Sequence, residues 1–170
     1  MLRPLLAVLL LAAPAAAQPS ASAPLEVQVM VVEGLAAWSD RGLDFGVVGA
    51  GSGTVAVPVT SPSAGLFRIS GRRNRWVSVT LEPPAELTHG SGEAITYTWQ
   101  AASNGESGDP ATATPVTALT SDLRLRDFTA PGNRAWGWVW VYGSVDLGGP
   151  GTLLPPGTYS GLFTIVVAYL

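Results

Sequence analysis

Apolar residues recur at every second position through most of this chain, and that period of two is what most constrains its fold. Successive side chains of an extended strand point to opposite faces, whereas a helix needs repeats at three and four. No stripe with helical spacing follows the first seventeen residues. Leu25, Val27, Val29 and Val31 share one face of the segment 25–33. Residues 43–46 are a short apolar piece before a glycine-rich turn, 49–53. Residues 54–60 alternate again, with Pro58 marking an edge strand or a bulge. Residues 66–70 and 76–82 flank the tight segment 71–75 and read as a hairpin. In 94–101, Ile95, Tyr97 and Trp99 lie on one face, and the polar stretch 102–118 reads as a long loop. The longest strands are 137–147 and 158–170, separated by the turn-rich 148–157. About eight strands at this spacing predict an all-β, antiparallel two-sheet β-sandwich, immunoglobulin-like or pilin-like, with a barrel as the alternative.

The N-terminus has the three parts of a secretory signal. Arg3 gives a positive start, residues 4–13 a short Leu-rich run, and Ala15, Ala16 and Ala17 a small-residue cleavage pattern before Gln18. The run is shorter than the ~20 residues a membrane-spanning helix needs. The expectation is a signal peptide over 1–17, a single domain over 18–170, and an exported protein in the periplasm, at the cell surface or outside the cell. No membrane insertion is expected. With Arg3 removed, eight Arg and no Lys face twelve Asp and Glu, a mildly acidic balance that argues against nucleic acid as a partner. There is no Cys, so an oxidising compartment adds no disulfide.

The chemical inventory is thin. His89 is the only imidazole, and metal sites built from His or Cys need several such ligands. A Ser–His–acid triad would have to use His89, and no G-x-S-x-G elbow presents a Ser. Two of the twelve acids converging would suit a two-carboxylate glycosidase, but most lie at strand ends and loops, where solvated charge is ordinary, so the expectation is no catalytic residue, no metal and no cofactor, and not an enzyme. The Gly-rich 49–53 is followed by a strand instead of the helix that a phosphate loop requires. The acidic loop 104–109 lacks the spacing of a calcium-binding EF-hand.

Two surface features are candidate interaction sites. Arg72, Arg73 and Arg75, near Arg68, concentrate positive charge on one turn, which suits either a solvated turn or an acidic polysaccharide. Trp136, Trp138, Trp140 and Tyr142 fall at spacing two, while Val139, Val141, Val145 and Leu147 supply a core face on the other side. Three arrangements satisfy that stripe. It is buried within the chain, it packs against a neighbouring subunit, or it stacks on sugar rings.

The last segment carries a resemblance. Tyr159, Phe163, Ile165, Val167 and Tyr169 share a face, and Leu162, Val166, Ala168 and Leu170 make the other apolar too. Such a strand belongs inside a sheet, because an exposed edge of this kind templates aggregation. Leu43-Asp44-Phe45-Gly46, Phe67-Arg68-Ile69-Ser70-Gly71 and the G-x-Y-x-G stretch 157–161 with closing Tyr169 resemble a secreted bacterial family known as domain of unknown function 4402. The resemblance covers roughly 27–170 and departs at 35–42 and 102–118. The ending is also similar to chaperone–usher pilins, which have a Gly upstream of the final strand and a penultimate aromatic, matched by Gly157 and Tyr169. That similarity implies β-strand addition, with a strand from another protein filling the groove beside the final strand. The donor implied is Leu25, Val27, Val29 and Val31, although the same residues also suit the first strand of a self-complete sandwich. The function expected is a structural or adhesive surface protein, a fimbria-like subunit that associates with itself or other surface subunits. The alternative is an extracellular carbohydrate-binding module that takes a polysaccharide on its aromatic face.

Overall fold

The computed structural model describes residues 34–170. The expected signal peptide and the segment carrying Leu25, Val27, Val29 and Val31 lie outside the described residues. The chain is all-β, with twelve strands among the described residues. In order they are β1 Ala36–Arg41, β2 Thr54–Val57, β3 Gly65–Arg72, β4 Trp76–Glu82, β5 Leu87–His89, β6 Ala94–Ile95, β7 Tyr97–Asn104, β8 Thr114–Val116, β9 Thr120–Arg124, β10 Arg134–Asp146, β11 Tyr159–Ser160 and β12 Thr164–Tyr169.

They form antiparallel sheets. The largest has the order β1-β3-β10-β7-β8, with β2 pairing the far part of β10. A second has the order β12-β4-β9, and a small third has β11-β5-β6. Alternation puts Phe67, Ile69, Val139, Val141 and Val145 of the large sheet into one core. Val77, Val79, Leu81, Ile165 and Val167 of the second sheet enter the same core, giving the sandwich. Phe163 is its bridge, 5.6 Å from the Trp99 ring and 6.1 Å from that of Phe67.

Several expectations need correction. The segment 71–75 does not close a hairpin, because β3 and β4 lie in different sheets. Leu125 separates them: Asn74 N–H donates to the Leu125 carbonyl and Leu125 N–H to that of Arg75, both at 2.9 Å. Its side chain fills the space left by two glycines, since a Cβ on Gly71 or Gly137 would come within 2.5 or 2.6 Å of a Leu125 methyl. The stretch 102–118 is a loop only over 105–113: it begins in β7 and returns through β8, so it forms the turn of a hairpin. Its polar residues build the turn. Asn104 Oδ1 accepts from the N–H groups of Glu106 and Ser107, and Asp109 caps a short 3-10 turn, Pro110–Thr112. The ending 158–170 is not one strand, since β11 and β12 belong to different sheets. Gly161 marks the break, where a Cβ would sit 2.7 Å from the Pro84 ring. Residues 94–101 likewise divide between β6 and β7, so short pieces raise the strand number from the expected eight. Strand β1 falls in a stretch where the alternation announced none. Pro58 does follow an edge strand, β2.

Candidate functional site

The outer face of the large sheet carries the aromatic stripe, and its register explains what surrounds it. Trp38 on β1 pairs with Arg68 on β3, which pairs with Trp138 on β10, so a guanidinium lies between two indoles in one cross-strand row. The Arg68 guanidinium carbon is 5.4 Å from the Trp38 ring centre, 5.4 Å from that of Trp136 and 5.2 Å from that of Trp138. Asp40 grips the same group in fork geometry at 2.6 and 2.9 Å, and Trp38 Nε1 donates to Asp40 at 3.0 Å. Trp136 meets Trp38 edge-on at 5.4 Å. Positive charge over indole faces is favourable, so Arg68 occupies surfaces that a ligand ring would otherwise use.

The rest of the stripe is covered by the chain itself. Trp140 is 1% exposed. Trp138 Nε1 donates to Asp127 Oδ2 at 3.0 Å, and the β7–β8 turn passes over its ring at Gly108. Gly105 holds that turn in place, its carbonyl accepting from Arg126 N–H at 2.5 Å and Asp127 N–H at 2.6 Å. Tyr142 is half-buried at the core margin. The four residues therefore share a face without forming an open platform. Burial within the chain accounts for Trp140 and much of Trp138.

Asp127 is the buried charge of this assembly. Burial raises its pKa, but hydrogen bonds from the Thr129 hydroxyl, the Thr129 N–H and the Trp138 indole outweigh that and leave it below the ordinary carboxylate range. A depressed folded value contributes stability above the unfolded pKa of about 3.9, lost as pH falls through the lower folded value. Asp127→Ala is therefore expected to cost about 2–3 kcal/mol near neutral pH and to reduce the acid sensitivity of Trp fluorescence. Urea titrations at pH 7 and below pH of about 3 measure both. An unchanged acid limb would count against this role.

Arg72, Arg73 and Arg75 are exposed where β3 passes to β4. Arg73 Nε donates to the Arg134 carbonyl at 3.0 Å, and its guanidinium lies 5.3 Å from the Phe128 ring centre. Two aromatics that the strand pattern did not single out, Trp76 and Phe128, stand at this end about half exposed. Between the β7–β8 hairpin and β9 runs an open groove of about 910 Å³, lined by Thr114, Thr120, Asp122, Arg124 and Trp76 among others.

His89 serves the G-x-Y-x-G stretch. Its ring stacks 5.1 Å from that of Tyr159, and a Cβ on Gly157 would fall on His89 Nε2. Burial, aided by the Glu93 charge, raises the Tyr159 hydroxyl, which donates to the Pro155 carbonyl at 3.2 Å. His89 Nδ1 touches Ser91 Oγ, which donates to Glu93 at 2.5 Å and lowers that carboxyl. The order is His–Ser–acid, with the serine in the middle. Hydrolytic activation needs the imidazole between the serine and the acid, so this exposed turn lacks that geometry.

Strand β12 is the other candidate surface. Phe163, Ile165 and Val167 point into the core, and one main-chain edge pairs with β4. Its other edge has no strand partner among the described residues. Tyr169 fixes its end: the hydroxyl donates to the Gly34 carbonyl at 3.1 Å and accepts from Arg72 N–H at 2.8 Å. The chain therefore enters the described fold beside the last residues of β12.

This is an antiparallel β-sandwich with an outer Trp–Arg cluster and a strand edge open among its described residues. The family model for domain of unknown function DUF4402 matches residues 43–169, about three quarters of the chain, and the protein belongs to that family. The match begins after β1. Comparison with curated proteins and with solved structures gave no match.

Proposed function

We propose that this protein is an exported bacterial structural or adhesive surface subunit, fimbria-like, that associates through β-strand addition at β12. The observation that carries the reading is the β12 edge. Its inward side chains, Ile165 and Val167, already belong to the core, while its outer main-chain edge has no strand partner among residues 34–170. Unpaired strand edges are paired, covered or blunted in stable proteins. The alternating segment 25–31 is the natural occupant, since the chain reaches Gly34 beside Tyr169.

Direction distinguishes the two ways of filling that edge. Residues just before Gly34 are tethered near the end of β12, so closing the chain's own edge requires a parallel pairing. Donation to a second copy stacked end to end reverses the direction and makes the pairing antiparallel. Antiparallel ladders have the better hydrogen-bond geometry, which favours exchange between copies. Main-chain bonds would supply affinity, and Leu25, Val27, Val29 and Val31 would supply register.

Val29→Asp in the full chain places a carboxylate on the inward face of the donor. The expected result is loss of heat-resistant oligomer ladders on gels while the sandwich stays folded by circular dichroism. Ladders of unchanged abundance would contradict the donor role.

A further inference from the structure

The two ends of the sandwich carry opposite charge. Strand β4 runs from Trp76 to Glu82 and β10 from Arg134 to Asp146, and these strands separate the ends by roughly 20 and 40 Å. At the first end stand Arg72, Arg73, Arg75, Arg124, Arg126 and Arg134, six of the nine arginines in the chain. They come from three separate segments, brought together because Arg72 pairs with Arg134 and Trp76 with Arg124 in the sheets. The acids at this end are largely committed. Glu106 is in an ion pair with Arg126 at 2.6 Å, Asp109 caps the 3-10 turn through Ala111 N–H, and Asp127 is buried against Trp138; Asp122 lies at the foot of Arg75 and Trp76. Trp76 and Phe128 add exposed apolar surface beneath the guanidinium groups of Arg124 and Arg73.

The other end carries Asp44, Glu82, Glu86, Glu93 and Asp146, all exposed. Its one arginine among the described residues, Arg41, is turned onto the Ala64 carbonyl at 2.7 Å. We infer that the basic, aromatic end of one copy docks on the acidic end of a second copy. The surfaces are different patches on opposite ends of the molecule, so the contact is head-to-tail and does not close on itself, producing an open filament. A non-self partner such as an anionic polysaccharide would explain the arginines but not the acidic end. The stacking also directs the segment before Gly34, which leaves from the basic end, into the acidic end of the next copy, where β12 begins. The inference thus deepens the strand-addition reading and rests on it for the strength of the joint. The charged surfaces set direction and encounter rate.

The test uses the full chain and three variants: Arg72→Glu with Arg75→Glu, Glu82→Arg with Glu86→Arg, and all four together. Weight-average mass is followed over time by sedimentation at about 50 mM and about 500 mM salt, where screening differs strongly. Wild type should assemble at least about tenfold more slowly at high salt. Each double variant should assemble at least about tenfold more slowly than wild type at low salt with an unchanged thermal midpoint, and the fourfold reversal should restore the rate. Association that ignores both reversals, or a fourfold variant as slow as its parents, would overturn the inference. So would dextran sulfate binding that is lost in Arg72→Glu with Arg75→Glu while self-association stays intact, since that assigns the basic end to a polyanion. A strand pairing trapped covalently between copies, together with salt-independent assembly, would sink the charge-directed docking alone and leave strand addition standing.

Discussion

Phe163→Ala should destabilise the fold by about 3–5 kcal/mol, the range for deleting a fully buried phenylalanine. The ring sits where the chain passes from the small sheet to the second one, and it touches Trp99 and Phe67 of the large sheet. Removing it opens a cavity against the large sheet, where the chain crosses from β11 to β12. A domain of this size has only about 5–15 kcal/mol in hand, so the loss would be plain in urea unfolding. Leu162, its half-exposed neighbour, serves as the internal comparison, and Leu162→Ala should cost well under about 1 kcal/mol. Equal losses at the two positions would mean that the ending is not anchored through Phe163.

Trp140→Ala is expected to be as costly, about 3–5 kcal/mol, although its side chain lies on the outer face of the sheet. The reason is burial: at 1% exposure the indole is as buried as the inner-face Val139 and Val141 of the same strand. Trp136→Ala should cost about 1–2 kcal/mol, because that ring keeps partial exposure and loses mainly its contacts with Trp38 and Arg68. If the stripe were a ligand platform, the order would follow binding and leave stability nearly untouched. Denaturation midpoints for the two variants decide between these outcomes.

The all-β class was legible because alternation is local, and so was the inward face of β12, whose Ile165 and Val167 are both buried. What each strand pairs with was not legible. The 71–75 turn has every mark of a hairpin, yet Leu125, some fifty residues on, wedges between β3 and β4 because Gly71 and Gly137 leave it room. The polar 102–118 stretch conceals a hairpin because its hydrogen bonds are made by Asn104 and Asp109 side chains, which read as loop composition. The aromatic stripe was visible as a face. Its occupation by Arg68 was not, since that depends on the register of β1, β3 and β10. Gly157 stood out as part of a motif, and its reason is a contact with His89, far away in sequence.

In the proposed assembly, β12 receives the segment before Gly34 from a second copy. The chain has no cysteine, so introduced pairs report without background. Val32→Cys is combined either with Ala168→Cys, beside Tyr169, or with Thr164→Cys, at the opposite end of β12. These positions are about 13 Å apart along the strand, and a disulfide spans Cα atoms no more than about 7 Å apart. Under mild oxidation the Thr164→Cys pair is expected to crosslink between copies, giving ladders that collapse on reduction. A disulfide formed only within one chain, and only with Ala168→Cys, would contradict it.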